Sequence, residues 1–328
     1  MTSESAEAPA KAPPSRRGTW LRWFAKSALA VALLGLLVWS GKLDLARLTA
    51  IRPSVSLALL FASIATGMFI PAYRWWYLLT MQQVYVPFGR VVRMTWIGYL
   101  AAVILPGAAG GDVAKAWLVT RGQAGNRFRP LATVVVDRVL GLYCVLVLAL
   151  VPVVILLARG GMTRGAWLTA LVPLGGWVAM SVVFAALAWR PTHDLAMRLV
   201  PARFRQTVSD SLLLYYSSPR GLWWVLALSL VSNVLMVGAF YFAAQAMDLD
   251  VPWTDAFLVG PLAILANAIP LTPGGIGTAE AVSEQAFGAL GAAGGAEIML
   301  LVRAAILLTS LPATLFLSTA PSDRPHAG

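Results

Sequence analysis

Eight stretches of the chain are apolar over about the length needed to cross a lipid core: 25–41, 55–73, 95–118, 131–157, 167–189, 221–247, 257–291 and 296–320. A backbone in lipid must satisfy its own hydrogen bonds, so this pattern predicts an all-α, polytopic membrane helix bundle. Hydrophobic residues make up 59% of 328 and charged ones 12%, far from the balance of a soluble domain. The net charge of +11 is scattered between the apolar runs. It points to an anionic lipid surface on the cytoplasmic side as a partner, and not to nucleic acid. The single Cys144 excludes a disulfide framework, and His193 and His326 lie outside the runs, so neither a metal site nor a cofactor is expected.

The sequence divides into a disordered cytoplasmic arm at 1–22, one transmembrane domain at 23–320 and a tail at 321–328. The first run has no small-residue cleavage site after it, so it reads as a retained helix and not a removed signal. Trp20, Trp23, Trp75, Trp76, Tyr77, Trp223 and Trp224 cluster at run ends, as an interfacial aromatic belt would. Residues 190–220 are too polar to cross and suit a surface-lying amphipathic helix.

Two runs are broken by proline and glycine: "ILPGAAGGDVAKAW" at 104–117 and "AIPLTPGGIGTAEA" at 268–281. The positive-inside rule tests how they behave. If all eight runs cross from a cytoplasmic N-terminus, about 11 Lys/Arg fall inside and about 12 outside. If 95–118 and 257–291 dip in and return, the basic loops from Arg74 to Arg93, Lys115 to Arg129 and Arg190 to Arg220 all face the cytoplasm. The count becomes about 18 against 5, with Arg138 and Arg303 left within spans. The expectation is therefore six full spans plus two re-entrant helical hairpins entering from opposite faces. Both termini lie in the cytoplasm of a bacterial inner (plasma) membrane. The halves, about 55–157 and 221–320, have the layout of an inverted repeat. Arg138 lies 32 residues after Pro106, and Arg303 lies 30 after Pro273.

Non-helical backbone at membrane depth is tolerated where it is buried in protein or lines a wet cavity. Gly107, Gly110 and Gly111 in one break, and Pro273, Gly274, Gly275 and Gly277 in the other, would bring backbone close to a ligand. The helix starts behind them present free N–H groups to an anion, with phosphate the obvious guest. Asp112 and Lys115, three apart, share a helix face, as do Glu280 and Glu284, four apart. The plainer alternative is a pair of ordinary kinks, with Asp112 or Thr278 capping a helix. Arg138 and Arg303 must be paired, hydrated or snorkelled, because arginine keeps its proton. Asp137 adjoins Arg138 but points about 100° away around a helix, so each is expected to pair elsewhere. Pairing across the halves, with Glu280, Lys115 or a lipid phosphate, is the sharper expectation. Asn267 in "ILANAIP" is placed to bond unwound backbone or a neighbouring helix.

"LPGAAGGDVAKAW", "VVVDRVLGLY" and "LTPGGIGTAEA" together resemble the lysylphosphatidylglycerol synthase transmembrane-region family of flippase-like integral membrane proteins, over about residues 20–320. The resemblance carries the family's Gly-Asp and following basic residue onto Gly111, Asp112 and Lys115. Its Asp-Arg pair falls on Asp137 and Arg138, and its Pro-Gly-Gly-x-Gly with a following Glu on Pro273, Gly274, Gly275, Gly277 and Glu280. Lys115 stands where arginine is usual, and supplies a point charge in place of a bidentate fork. The resemblance implies a protein that moves or presents a membrane phospholipid or a polyprenyl-linked lipid or sugar. Two alternatives stay open: a non-catalytic membrane partner of a separate lipid-modifying enzyme, and a membrane-embedded transferase acting on a lipid phosphate.

Overall fold

The computed structural model describes residues 35, 39, 51–104, 109–121, 128–188, 218–269, 271, 272 and 274–312. The expected arm, nearly all of the first span, the surface helix up to residue 217, the tail, and Gly107 and Pro273 lie outside the described residues. Among the described residues the elements are α1 (Val55–Met81), α2 (Phe88–Ile104), α3 (Ala109–Arg121), α4 (Phe128–Ala158) and α5 (Arg164–Ala188). They continue with α6 (Pro219–Ala246), α7 (Trp253–Ala268), α8 (Thr278–Ala289) and α9 (Gly295–Ser310), with no strand. Four of them, α1, α4, α5 and α6, are long and apolar enough to cross a membrane. Of the other two expected spans, 296–320 coincides with α9 as far as it is described, and 25–41 is described only at residues 35 and 39.

Both broken runs fold as helical hairpins. In the first, Gly98 of α2 abuts both Gly111 and Lys115 of α3, while Gly111 also meets Ala102. Those pairings run in opposite directions along the two helices, so α2 and α3 are antiparallel. At 17 and 13 residues they extend about 25 and 20 Å, each short of the roughly 30 Å hydrocarbon core. In the second, α7 stops at Ala268, and Ile269, the residue before Pro270, is extended, as a following proline favours. The chain then turns through Gly274, Gly275 and Gly277, all at positive φ, into α8. Asn267 packs on Gly275 near the turn, and at the far end Leu290, just past α8, joins the cluster that holds Leu258, so α7 and α8 are antiparallel too.

The centre of the bundle is the pair α1 and α6. Gly67 lies against Met236, Arg74 against Ser229 and Tyr77 against Gly221, which makes this pair antiparallel as well. Small residues permit the approach, as is usual between membrane helices: a Cβ on Gly67 would sit 3.1 Å from the Met236 side chain. A core of Leu60, Ile64, Met68, Phe240, Phe287 and Ile298 joins α1 and α6 to the second hairpin and α9. Along α5, Leu168, Leu171, Val172, Val178, Val182 and Val183 are exposed, an apolar face that lipid would cover.

The structure corrects two sequence expectations here. Trp75 is fully buried and bonds Thr133 Oγ1 at 3.0 Å, so it belongs to the interior and not to the aromatic belt. Trp223 and Trp224, at the start of α6, are exposed as the belt requires. Arg74, counted with a cytoplasmic loop, lies inside α1 and is buried, because the helix runs on to Met81 and not to residue 73.

Candidate functional site

The polar interior is built around two adjacent residues of α4. Asp137 Oδ1 accepts from Arg74 Nε at 2.7 Å, and Lys115 Nζ stands 4.0 Å from Asp137 Oδ2. Arg74 also donates to Ser229 Oγ at 2.8 Å and to the Asp137 carbonyl at 3.3 Å. Arg138 points the other way around α4, and its Nε lies 3.6 Å from Asp112 Oδ2. Neighbouring side chains thus find separate partners, as the helical 100° step requires. Asp112 and Lys115, on one face of α3, meet Arg138 and Asp137 in turn. The Lys115 ammonium also lies 5.6 Å from the Trp75 ring centre and 5.8 Å from that of Tyr99, within cation–π range.

The second hairpin carries a closed counterpart. Arg303 of α9 donates from Nε to Glu280 Oε1 at 2.7 Å and from Nη1 to the Gly274 carbonyl. Its Nη2 donates to the Gly275 carbonyl at 3.2 Å and to Asn267 Oδ1 at 3.4 Å. Four of its five N–H groups therefore hold the glycine turn together. Glu280, fully buried, also accepts from the Gly277 amide at 2.6 Å, the carboxylate half of a capping box. The start of α8 is filled by its own carboxylate. Glu284 Oε2 accepts from the Ala296 amide at 3.1 Å, tying α8 to α9.

These contacts replace the expected pairing across the halves. Arg138 and Arg303 each pair with an acid in the first turn of the second hairpin helix of their own half, Asp112 for Arg138 and Glu280 for Arg303. Residue spacing does not distinguish the two arrangements, because both bring the same types together.

A cavity of about 250 Å³ opens between the halves. Arg74, Gly111, Asp112, Lys115, Asp137 and Arg138 form its charged wall, with the start of α3 among them. Ser232 and Asn233 of α6 and Asn267 of α7 supply neutral polar groups, and Met68, Met236, Met299 and Phe240 an apolar lining. Gly110 is buried beside Gly111. Gly274, Gly275, Gly277, Glu280 and Arg303 are tied to the wall through Asn267. Sequence reasoning missed Arg74, Tyr99, Ser232 and Asn233. The signal for Arg74 was a lone arginine three residues after Pro71, and for α6 the pattern Ser229, Ser232, Asn233, spaced to share one helix face.

The sequence model of the family described as Lysylphosphatidylglycerol synthase TM region matches residues 23–313, nearly the whole chain. No curated protein matches it.

Proposed function

The chain belongs to that family, which makes it a multi-pass membrane protein tied to lipid handling, and from this premise we propose that it passes an anionic lipid head group between leaflets through the central cavity. The observation that carries the reading is the charge on the cavity wall. Arg74, Lys115 and Arg138 face Asp112 and Asp137, three cations to two carboxylates. An uncompensated cation is expensive at membrane depth, so the surplus favours an anionic guest. Arg74 is committed to Asp137 and Ser229. Lys115, Arg138 and the opening amides of α3, where Gly110 and Gly111 carry no side chains, remain to hold a phosphate.

The antiparallel packing of α1 and α6 supports the topology this needs. If residues 190–217 do not cross, as their polarity in the sequence implies, three full crossings between α1 and α6 would leave them parallel. A re-entrant α2–α3 hairpin leaves two, α4 and α5, and makes them antiparallel. The halves are then an inverted repeat, each a long helix, a hairpin and a closing helix, with α2–α3 entering from the cytoplasm and α7–α8 from outside. A transferase reading has less support, because both carboxylates on the cavity wall are engaged by cations.

Liposomes carrying a head-group-labelled anionic phospholipid test the proposal. Wild-type protein should move label between leaflets well above the rate in empty liposomes. Arg138→Ala should slow this by roughly 10- to 100-fold, the equivalent of one charge-assisted contact. Equal rates for wild type, variant and empty liposomes would overturn it.

A further inference from the structure

A surplus cation on the cavity wall has to be held without being neutralised, and two aromatic rings are placed to do this. Of the three cations, Arg74 spends its guanidinium on Asp137 and Ser229, and Arg138 is partly exposed beside Asp112. Lys115 differs from both. Its side chain is only 9% exposed, and its ammonium stands 4.0 Å from Asp137 Oδ2, beyond hydrogen-bond reach. That carboxylate is already engaged by Arg74 at 2.7 Å. The Trp75 and Tyr99 rings, from α1 and α2, have their centres 5.6 and 5.8 Å from Lys115 Nζ. A ring face stabilises a desolvated cation through its quadrupole while carrying no net charge. A third carboxylate would stabilise Lys115 as well, but would cancel the charge that an anion can use.

The cradle is itself fixed. Trp75 is fully buried, and its indole N–H donates to Thr133 Oγ1 at 3.0 Å. The Thr133 hydroxyl donates in turn to the Pro130 carbonyl at 2.7 Å, which ties the ring to the start of α4, the helix that carries Asp137. The lysine stem is confined from another side. It lies against Gly98 of α2, where a Cβ would come 3.1 Å from its Cγ and 3.2 Å from its Cε. Stem and head are thus both positioned by groups that leave the charge intact.

We infer that Trp75 and Tyr99 are positioning residues, which hold the Lys115 ammonium in the cavity wall and keep its charge available to the anion; the inference rests on the anion site proposed above. Tyr99 lines the cavity, whereas Trp75 is enclosed and acts through Lys115.

Site-specific incorporation of mono-, di-, tri- and tetrafluorotryptophan at position 75 tests the inference, because fluorine drains the ring quadrupole while nearly preserving its shape and burial. Two readouts are taken on the full-length protein: thermal unfolding in detergent, and retention of phosphatidylglycerol over phosphatidylcholine by native mass spectrometry. Retention should fall stepwise along the series, by roughly tenfold in all, the size of one desolvated cation–π contact. Unfolding temperature should decline with it. In Lys115→Met, which keeps an apolar stem without the charge, both readouts should be flat along the series. Tyr99→Leu should lower retention several-fold, and Tyr99→Phe, which keeps the ring, should lower it less. Retention that stays flat with Lys115 present would overturn the positioning role. An equal decline in Lys115→Met would overturn it too, since the ring would then act by packing alone. Retention of phosphatidylglycerol no better than phosphatidylcholine by the wild type, or unchanged retention by Arg138→Ala, would instead remove the anion site and the positioning role with it.

Discussion

Arg303 Nε bonds Glu280 Oε1 at 2.7 Å, while Arg138 Nε stands 3.6 Å from Asp112 Oδ2: the same pair of charges, drawn tight in one half and left loose in the other. In each half the acid lies in the first turn of the second hairpin helix and the arginine on the helix that follows. The Glu280 side chain is fully enclosed, whereas those of Asp112 and Arg138 are 25% and 35% exposed. Under the proposed function, the second half would serve as a fixed frame and the first would keep a pair for which an incoming anion competes.

This asymmetry predicts different outcomes for one conservative change. Arg303→Lys removes a fork that grips Glu280, Asn267 and two carbonyls, and a lysine cannot reproduce that geometry. It should destabilise the protein by several kcal/mol, as loss of a buried charge network does. Arg138→Lys should leave thermal unfolding in detergent nearly unchanged and weaken anionic lipid retention instead. A matching loss of stability in both variants would contradict the division.

Arg74 and Asp137, each with a side chain 7% exposed, lock α1 to α4. Asp137→Asn should cost about 3–5 kcal/mol, because Arg74 and Lys115 lose their counter-charge while still buried. The double variant Arg74→Met/Asp137→Leu should recover much of that stability, measured as a double-mutant cycle of unfolding free energies. It should not recover transport, since the net charge of the wall stays the same but Lys115 loses the Asp137 carboxylate that stands 4.0 Å from it.

The first hairpin depends on backbone contact at its glycines. A Cβ on Gly111 would lie 2.5 Å from the Gly98 carbonyl oxygen, and one on Gly98 would lie 3.1 Å from Gly111 O and the Lys115 side chain. Gly111→Ala must push α2 and α3 apart, with an overpacking cost of about 1–3 kcal/mol. Gly98→Ala asks for a smaller shift. Both thermal stability and leaflet transfer should fall further for Gly111→Ala than for Gly98→Ala.

The breaks themselves were legible because proline and glycine are written into the chain: α7 ends two residues before Pro270, Gly275 takes a positive φ in the turn that follows, and Gly111 permits one close approach. The divergence of Asp137 and Arg138 was legible too, since it follows from helix geometry alone. Arg74 was hidden because the adjoining Trp75, Trp76 and Tyr77 read as a membrane interface, whereas tertiary packing buries Trp75 and Arg74 together. The partner of each arginine was not legible, because it depends on how α4 and α9 fold back on hairpins that precede them by tens of residues. Asn233 and Ser232 carry no charge and stand out only once α6 is seen to face the cavity.

Entry of the two hairpins from opposite faces is the claim on which the rest depends, and labelling of single cysteines tests it most directly. In a Cys144→Ser background, Arg121→Cys marks the end of α3 and Ala292→Cys the turn after α8. A membrane-impermeant thiol reagent should reach residue 121 only from the cytoplasmic side and residue 292 only from the outer side. Outer-side labelling at 121, or cytoplasmic labelling at 292, would contradict the account.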